Sequence, residues 1–201
     1  MKIIGEINGT DLRMIREMAG HNFNGNSTDG KLSVLDLSEA KIVKGGDCYY
    51  NDNYSNYYTY NNVIGSYAFK GCSGLTSLTL PAGITSIGES AFGGCSGLTS
   101  IYVYAEKVPK IGWDVFVGVD AKKCTVYVPM GTRDDYCASD FGDYFENIVE
   151  FEATGIDKTT TSTDVEEVVR YSVNGQRLSA PTKGLNIVKY SDGSVKKVAV
   201  R

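Results

Sequence analysis

His21 is the chain's one histidine, so any proton relay or base-activated nucleophile would have to use it. A triad needs a nucleophile and an acid brought to that ring, yet its neighbours are Gly20 and Asn22. The plainer reading is a histidine that closes a helix end or faces water. Five cysteines, Cys48, Cys72, Cys95, Cys124 and Cys137, form an odd set with no Cys-x-x-Cys pair. That is neither a disulfide framework nor a zinc site. Cys72 and Cys95 occupy the same place in two copies of one motif, which permits a disulfide. Small buried thiols filling a turn are the favoured reading. Asp134, Asp135, Asp140, Asp143 and Glu146 offer oxygens to a cation such as calcium. Their spacing fits no EF-hand loop and Arg133 lies among them, so a solvated acidic face is favoured. Gly93-Gly94 lacks the Lys-Ser/Thr that completes a phosphate-binding loop. Asn8-Gly9-Thr10 and Asn26-Ser27-Thr28 match the glycosylation acceptor pattern, which alone says little. No catalytic residue, metal ligand or cofactor is expected.

What the chain offers instead is tyrosine, 14 of 201 residues. Residues 48–62 contain Tyr49, Tyr50, Tyr54, Tyr57, Tyr58 and Tyr60, and eleven of these 15 residues are Tyr or Asn. Tyrosine presents a large contact area with few rotatable bonds and a hydroxyl, the qualities used by antibody paratopes. Two readings stand side by side: a recognition loop, or a flexible and under-packed loop with no ligand. Tyr102, Tyr104 and Tyr127 form a second group, with Thr76, Ser77, Thr79, Thr99, Ser100 and Thr125 around them. They are expected to align as a polar and aromatic stripe suited to a peptide or a glycan. The net charge of -4 argues against a nucleic acid held by its phosphates.

The elements that position these residues come from a repeat. Ile64-Gly65-Ser66-Tyr67-Ala68-Phe69-Lys70-Gly71-Cys72-Ser73-Gly74-Leu75-Thr76-Ser77-Leu78 returns 23 residues later as Ile87-Gly88-Glu89-Ser90-Ala91-Phe92-Gly93-Gly94-Cys95-Ser96-Gly97-Leu98-Thr99-Ser100-Ile101. A third copy opens at Ile111-Gly112-Trp113-Asp114-Val115-Phe116 and closes on Thr125-Val126-Tyr127-Val128-Pro129. Upstream, Leu32-Ser33-Val34-Leu35-Asp36-Leu37 matches Leu75 to Leu80. A unit of about 20–29 residues with this Leu-x-x-Leu-x-Leu pattern is one coil of a leucine-rich solenoid. Stacked coils pair their strands edge to edge and bury one continuous apolar column.

The fold expected is therefore an α+β/β solenoid: a short leucine-rich-repeat solenoid with an N-terminal capping helix, plus a small C-terminal antiparallel β-module. Residues 1–153 form the repeat domain. Its coils span about 32–63, interrupted by the Tyr/Asn insertion, then 64–86, 87–110 and 111–131, with a cap at 132–153. Thr10 or Asp11 is expected to start a helix carrying Leu12, Ile15, Met18 and Ala19 on one face. A threonine-rich linker covers 154–163. Residues 164–201 alternate like strands and turn at Asn174-Gly175 and near Asp192-Gly193. This segment carries eight basic against five acidic residues from Thr154 onward, net +3, while the remainder is net -7. Met1 to Glu6 is too short and polar for a signal peptide, and no run approaches the ~20 apolar residues of a spanning helix.

The paired copies at 64–78 and 87–101 resemble the BspA-like leucine-rich repeats of bacterial surface proteins. Val126-Tyr127-Val128-Pro129-Met130-Gly131-Thr132, Tyr136 and Phe145-Glu146-Asn147-Ile148-Val149-Glu150 are similar to that family's terminal coil. The resemblance implies an exported protein at the cell surface or outside the cell, its export signal removed. It implies adhesion to host proteins, to other bacteria or to sugars, and no catalysis. The tail, from Tyr171-Ser172-Val173-Asn174-Gly175-Gln176-Arg177 through Lys183-Gly184-Leu185-Asn186-Ile187-Val188, resembles C-terminal sorting domains of Bacteroidetes secretion. The function expected is a non-enzymatic binding or adhesion module whose partner is a surface protein or glycan. The alternative is a structural spacer or display scaffold anchored by its tail.

Overall fold

The computed structural model describes residues 1–152, 167–172, 177–178, 180, 184–190 and 195–200. The chain divides into two compact units, Met1–Ala153 and Thr154–Arg201. The first unit opens with strand β1 (Lys2–Ile7) and helix α1 (Gly9–Met18). The helix is started by Asn8, not by Thr10 or Asp11. The Asn8 side chain accepts the Thr10 amide at 2.9 Å, and the Asp11 carboxylate accepts the Asn8 amide at 2.9 Å. This reciprocal pair satisfies donors that a helix start leaves open. Strand β2 (Val34–Ile42) follows, then β3 (Gly45–Asn51) and β4 (Asn56–Thr59), which pair antiparallel.

The coils proper each make two strands. On one side lie β5 (Val63–Ile64), β7 (Ser86–Ile87) and β9 (Lys110–Ile111), a three-stranded parallel sheet. On the other lie β6 (Ser77–Leu80), β8 (Ser100–Val103) and β10 (Thr125–Pro129). Helices α2 (Arg133–Cys137) and α3 (Asp140–Tyr144) lead to β11 (Ile148–Phe151). A six-stranded parallel sheet results, in the order β1-β2-β6-β8-β10-β11. Leu78, Ile101 and Val126 stand in one register, and all three are buried. Strand alternation puts Ser77, Thr79, Ser100 and Tyr102 on the opposite, partly exposed face.

The apolar column inside the coils is organised by phenylalanine. Phe69 and Phe92 stack at 5.6 Å between ring centroids, and Phe92 and Phe116 at 5.7 Å, with planes within 7°. Phe141, Tyr144 and Phe145 pack edgewise or tilted against Phe116 and finish the column. Cys72 and Cys95 fill the adjoining turn as free, buried thiols, so the disulfide alternative does not form.

The turns of successive coils are also laddered through the backbone. The amides of Tyr67, Phe69 and Gly71 donate to the carbonyls of Glu89, Ala91 and Gly93 at 2.7–2.9 Å. One coil on, Ser90, Phe92 and Gly94 donate to Trp113, Val115 and Val117. Left-handed backbone at Tyr67, Ser90 and Asp114, and again at Gly71, Gly94 and Gly118, aims these groups along the stack. The equivalent carbonyls of the first coil, Ser66, Ala68 and Lys70, have no earlier coil to pair with. Side chains take that place. The Tyr49 hydroxyl donates to Ser66 at 2.9 Å, and the Arg16 guanidinium donates to Tyr67, Ala68 and Lys70 at 2.7, 2.8 and 3.4 Å. Arg16 is fully buried, and the Tyr50 ring lies 4.8 Å from its guanidinium carbon.

This corrects the reading of residues 48–62 as a flexible loop. The segment is largely a hairpin, and its Tyr49 and Tyr50 belong to the core. In the second unit, β12 (Glu167–Ser172), β13 (Arg177–Leu178), β14 (Gly184–Tyr190) and β15 (Val195–Val200) form an antiparallel sheet in the order β13-β12-β14-β15. The expected linker and the turns at Asn174-Gly175 and Asp192-Gly193 lie outside the described residues.

Two substitutions test this construction by denaturant unfolding. Phe92→Ala removes the middle of the ring stack and is expected to cost about 3–5 kcal/mol, Phe92→Leu distinctly less. Arg16→Met strips the donors from the first coil and is expected to cost roughly 3 kcal/mol, since each buried polar group left unpaired costs about 1–3 kcal/mol. An Arg16→Met protein as stable as the parent would show that water serves these carbonyls equally well.

Candidate functional site

Register across the six-stranded sheet fixes what its outer face presents. One row runs Lys2, Asp36, Thr79, Tyr102, Tyr127, Val149 from edge to edge. A second runs Val34, Ser77, Ser100, Thr125. The rows pass across because all five strand pairs are parallel; four keep one register throughout, and β1 shifts against β2 between Lys2 and Ile4. Adjacent side chains in a row are held about 4.8 Å apart.

Within the first row, the Tyr102 and Tyr127 rings stack at 4.3 Å with planes 8° apart. Phe151 meets Tyr102 at 5.6 Å, edge to face, and Tyr104 at 5.0 Å. Partial burial, then the neighbouring Tyr127, pushes the Tyr102 hydroxyl pKa up. The stripe expected from sequence is thus divided: Tyr102 and Tyr127 share a row with Thr79, whereas Thr125 sits in the next row. Tyr104 lies beyond the end of β8 and reaches the cluster through Phe151. Sequence reasoning missed Phe151 as part of this face. The alternation of Ile148, Val149, Glu150 and Phe151 carried the signal, since it reads as one more strand.

The other end of the face is charged. Lys2 pairs with Glu39 at 2.6 Å and Lys41 with Glu6 at 3.2 Å. Asp36 accepts the Ser38 amide through one carboxylate oxygen. An apolar groove of about 380 Å³ lies beside this end, lined by Ala40, Ile42, Pro81, Ala82, Gly83 and Ile84 among others.

The tyrosines of the insertion separate into two sets. Tyr49 and Tyr50 are buried and cannot meet a ligand, a correction to their expected place on a binding surface. Consecutive residues of one strand point to opposite faces, so their joint burial means β3 is covered on both sides. Tyr57 is half-buried against Tyr50 and Tyr67, and its hydroxyl donates to Asp52. The amides of Ser55 and Tyr54 hold the Asp52 carboxyl below its usual range. Tyr54, Tyr58 and Tyr60 face solvent. Among the described residues, the insertion tyrosines make no ring contact with Tyr102, Tyr104 or Tyr127.

The residues weighed for chemistry are scattered. His21 is half-buried, and its Nδ1 is enclosed without a hydrogen-bond partner among the described residues. Burial, then the positive Arg16, holds its pKa below the usual 6.5. Burial raises the thiol of Cys72 to about 11, and those of Cys95 and Cys124 rise for the same reason. Among the described residues no three His, Cys, Asp or Glu side chains gather as a metal site. No described helix is long and apolar enough to cross a membrane.

In-phase parallel strands, laddered turns and a stacked phenylalanine column define a repeat solenoid. Residues 62–149 match the family model described as the BspA type leucine rich repeat region, in six copies. The match spans the stacked coils and reaches into the last strand of the sheet. No curated protein matches the chain.

His21 supplies a pH test. Its folded form resists protonation, while the unfolded chain takes a proton near pH 6.5. Its contribution is neutral above that value and turns against the fold as pH falls through 6.5 to the depressed folded value. Unfolding midpoints between pH 7.5 and 5 should therefore fall more steeply for the parent than for His21→Gln. Identical slopes would contradict the assignment.

Proposed function

We propose that Met1–Ala153 is a non-enzymatic recognition module of a bacterial surface or secreted protein, binding a protein or glycan through the outer face of the six-stranded sheet. The observation that carries this reading is the Tyr102–Tyr127 stack, two partly exposed rings held face to face on a laddered sheet. Rigid backing matters because binding costs the freedom of each side chain it orders, and these rings are ordered beforehand. BspA-type leucine-rich repeats commonly serve protein interaction or adhesion, which agrees with the match at residues 62–149. Tyr54, Tyr58 and Tyr60 offer a second, lesser contact. The residues from 164 onward are read as the segment that sorts or anchors the protein.

The test compares two variants of the full chain on a panel of immobilised extracellular-matrix proteins and host or bacterial glycans. Alanine at both Tyr102 and Tyr127 is expected to weaken binding at least ~tenfold. Alanine at Tyr54, Tyr58 and Tyr60 is expected to weaken it by less. The reverse order would move the site to the hairpin. No binding by the parent chain would favour a display scaffold.

A further inference from the structure

Strand β1 forms one edge of the six-stranded sheet, and among the described residues β2 is its one strand partner. The carbonyls of Met1 and Ile7 accept the amides of Asp36 and Val43. Backbone groups alternate in direction along a strand, so the odd residues serve β2. Lys2, Ile4 and Glu6 turn their amides and carbonyls away from it. The register shift leaves this order intact, because the additional residue lies on β2, between Asp36 and Glu39. Nor does the positive φ of Gly5 break it, since Ile4 and Glu6 on either side keep their partners in β2. The edge is open. Ile4 is 71% exposed, and Lys2, Gly5 and Glu6 are exposed with it. Chain neighbours apart, nothing comes within 4 Å of the place where a Gly5 side chain would begin.

An open edge of unpaired amides and carbonyls is a template for another strand. The charges say which strand fits. Lys2, Ile4 and Glu6 share the outer face at alternate positions. When a second β1 is laid antiparallel about an axis through Ile4, Lys2 meets the second copy's Glu6, Ile4 meets Ile4, and Glu6 meets Lys2. The outward residues of each strand then use all of one another's free amides and carbonyls. Lys2 already holds Glu39, and Glu6 already holds Lys41. The pairing extends these into a row of alternating sign: Lys41, Glu6, then the second copy's Lys2 and Glu39. Gly5 falls opposite the second copy's Ile3 and leaves room for it. Other arrangements lose the match. A parallel pair in register sets Lys2 on Lys2 and Glu6 on Glu6, and like charges directly opposite are destabilising. A slip by two residues sets a charge against Ile4. The opposite edge strand, β11, carries Glu150 as its one charge and has no such symmetry.

From this self-complementary edge we infer that two copies of the chain join β1 to β1, antiparallel about Ile4, with two-fold symmetry. The two six-stranded sheets become one continuous sheet, and each outer face gains a second beside it. The contact is small, six residues a side, so the dimer is weak and its population follows concentration.

Sedimentation equilibrium of the full chain from about 10 μM to about 1 mM tests this. The dimer is expected to grow over that range and to weaken with added salt. Ile4→Lys sets like charges face to face, and Ile4→Pro removes an amide that points away from β2. Each should raise the dissociation constant at least ~tenfold. Lys2→Glu alone and Glu6→Lys alone should each do the same. An equimolar mixture of those two variants should restore the dimer, because each offers the charge that the other lacks. Loss of fold cannot imitate that rescue, and the unfolding midpoint of each variant is measured beside it. A chain that stays monomeric across the range overturns the inference. So does a dimer indifferent to Ile4→Lys, or a mixture of the two charge variants that stays monomeric. A monomeric chain that captures a matrix protein and loses it on Ile4→Lys would give the edge to another protein instead.

Discussion

A coil of this repeat cannot satisfy its own backbone. Its turn amides point to the next coil and its turn carbonyls to the one before. The short strands on both sides likewise need neighbours. Buried amides and carbonyls must be paired, because each one left alone costs a sizeable share of a domain's marginal stability. The stack therefore has an end problem, and at its first coil side chains solve it. Arg16 from α1 and Tyr49 from the hairpin deliver donors to Ser66, Ala68 and Lys70, the positions that the backbone of the preceding coil serves elsewhere. A lysine has no planar fork with which to reach several carbonyls at once, which accounts for arginine in a fully buried place with no carboxylate partner among the described residues. Burial disfavours its charge, and four carbonyl contacts offset that cost.

The same constraint explains what the sequence could and could not disclose. Periodic positions are legible because the coil repeats its environment. Ile64 and Ile87, Ala68 and Ala91, and Phe69 and Phe92 announce their burial by recurring in phase. Non-periodic positions acquire meaning only from partners far along the chain. Arg16 sits on a helix face read as apolar, and three of its four acceptors lie 51 to 54 residues away. Strand β1 looked like an unremarkable polar start because its partner, β2, begins more than 30 residues later. The Tyr/Asn insertion misled for a related reason. Composition reports that tyrosine suits recognition, but it does not report which tyrosines are consumed in closing the first coil.

The sheet face was half legible. Alignment of the copies placed Thr79, Tyr102 and Tyr127 in one phase, and the structure turns that phase into a row with a ring stack in it. The division of the face into an aromatic end and a charged end was not legible. It depends on Lys2 of β1 and Phe151 of β11, both of which lie outside the residues that match the repeat. They bound the face on opposite sides. Residues outside the repeat thus close the first coil and also shape the surface that the repeats present.

Native-state hydrogen exchange of the intact chain tests most directly the claim that side chains complete the first coil. If Arg16 and Tyr49 stand in for a missing coil, the amides of Tyr67, Phe69 and Gly71 will exchange only with global unfolding, as slowly as those of Ser90, Phe92 and Gly94. If the first-coil amides exchange much faster, by fraying that leaves the second coil protected, the substitution of side chains for a coil is not what holds this end together.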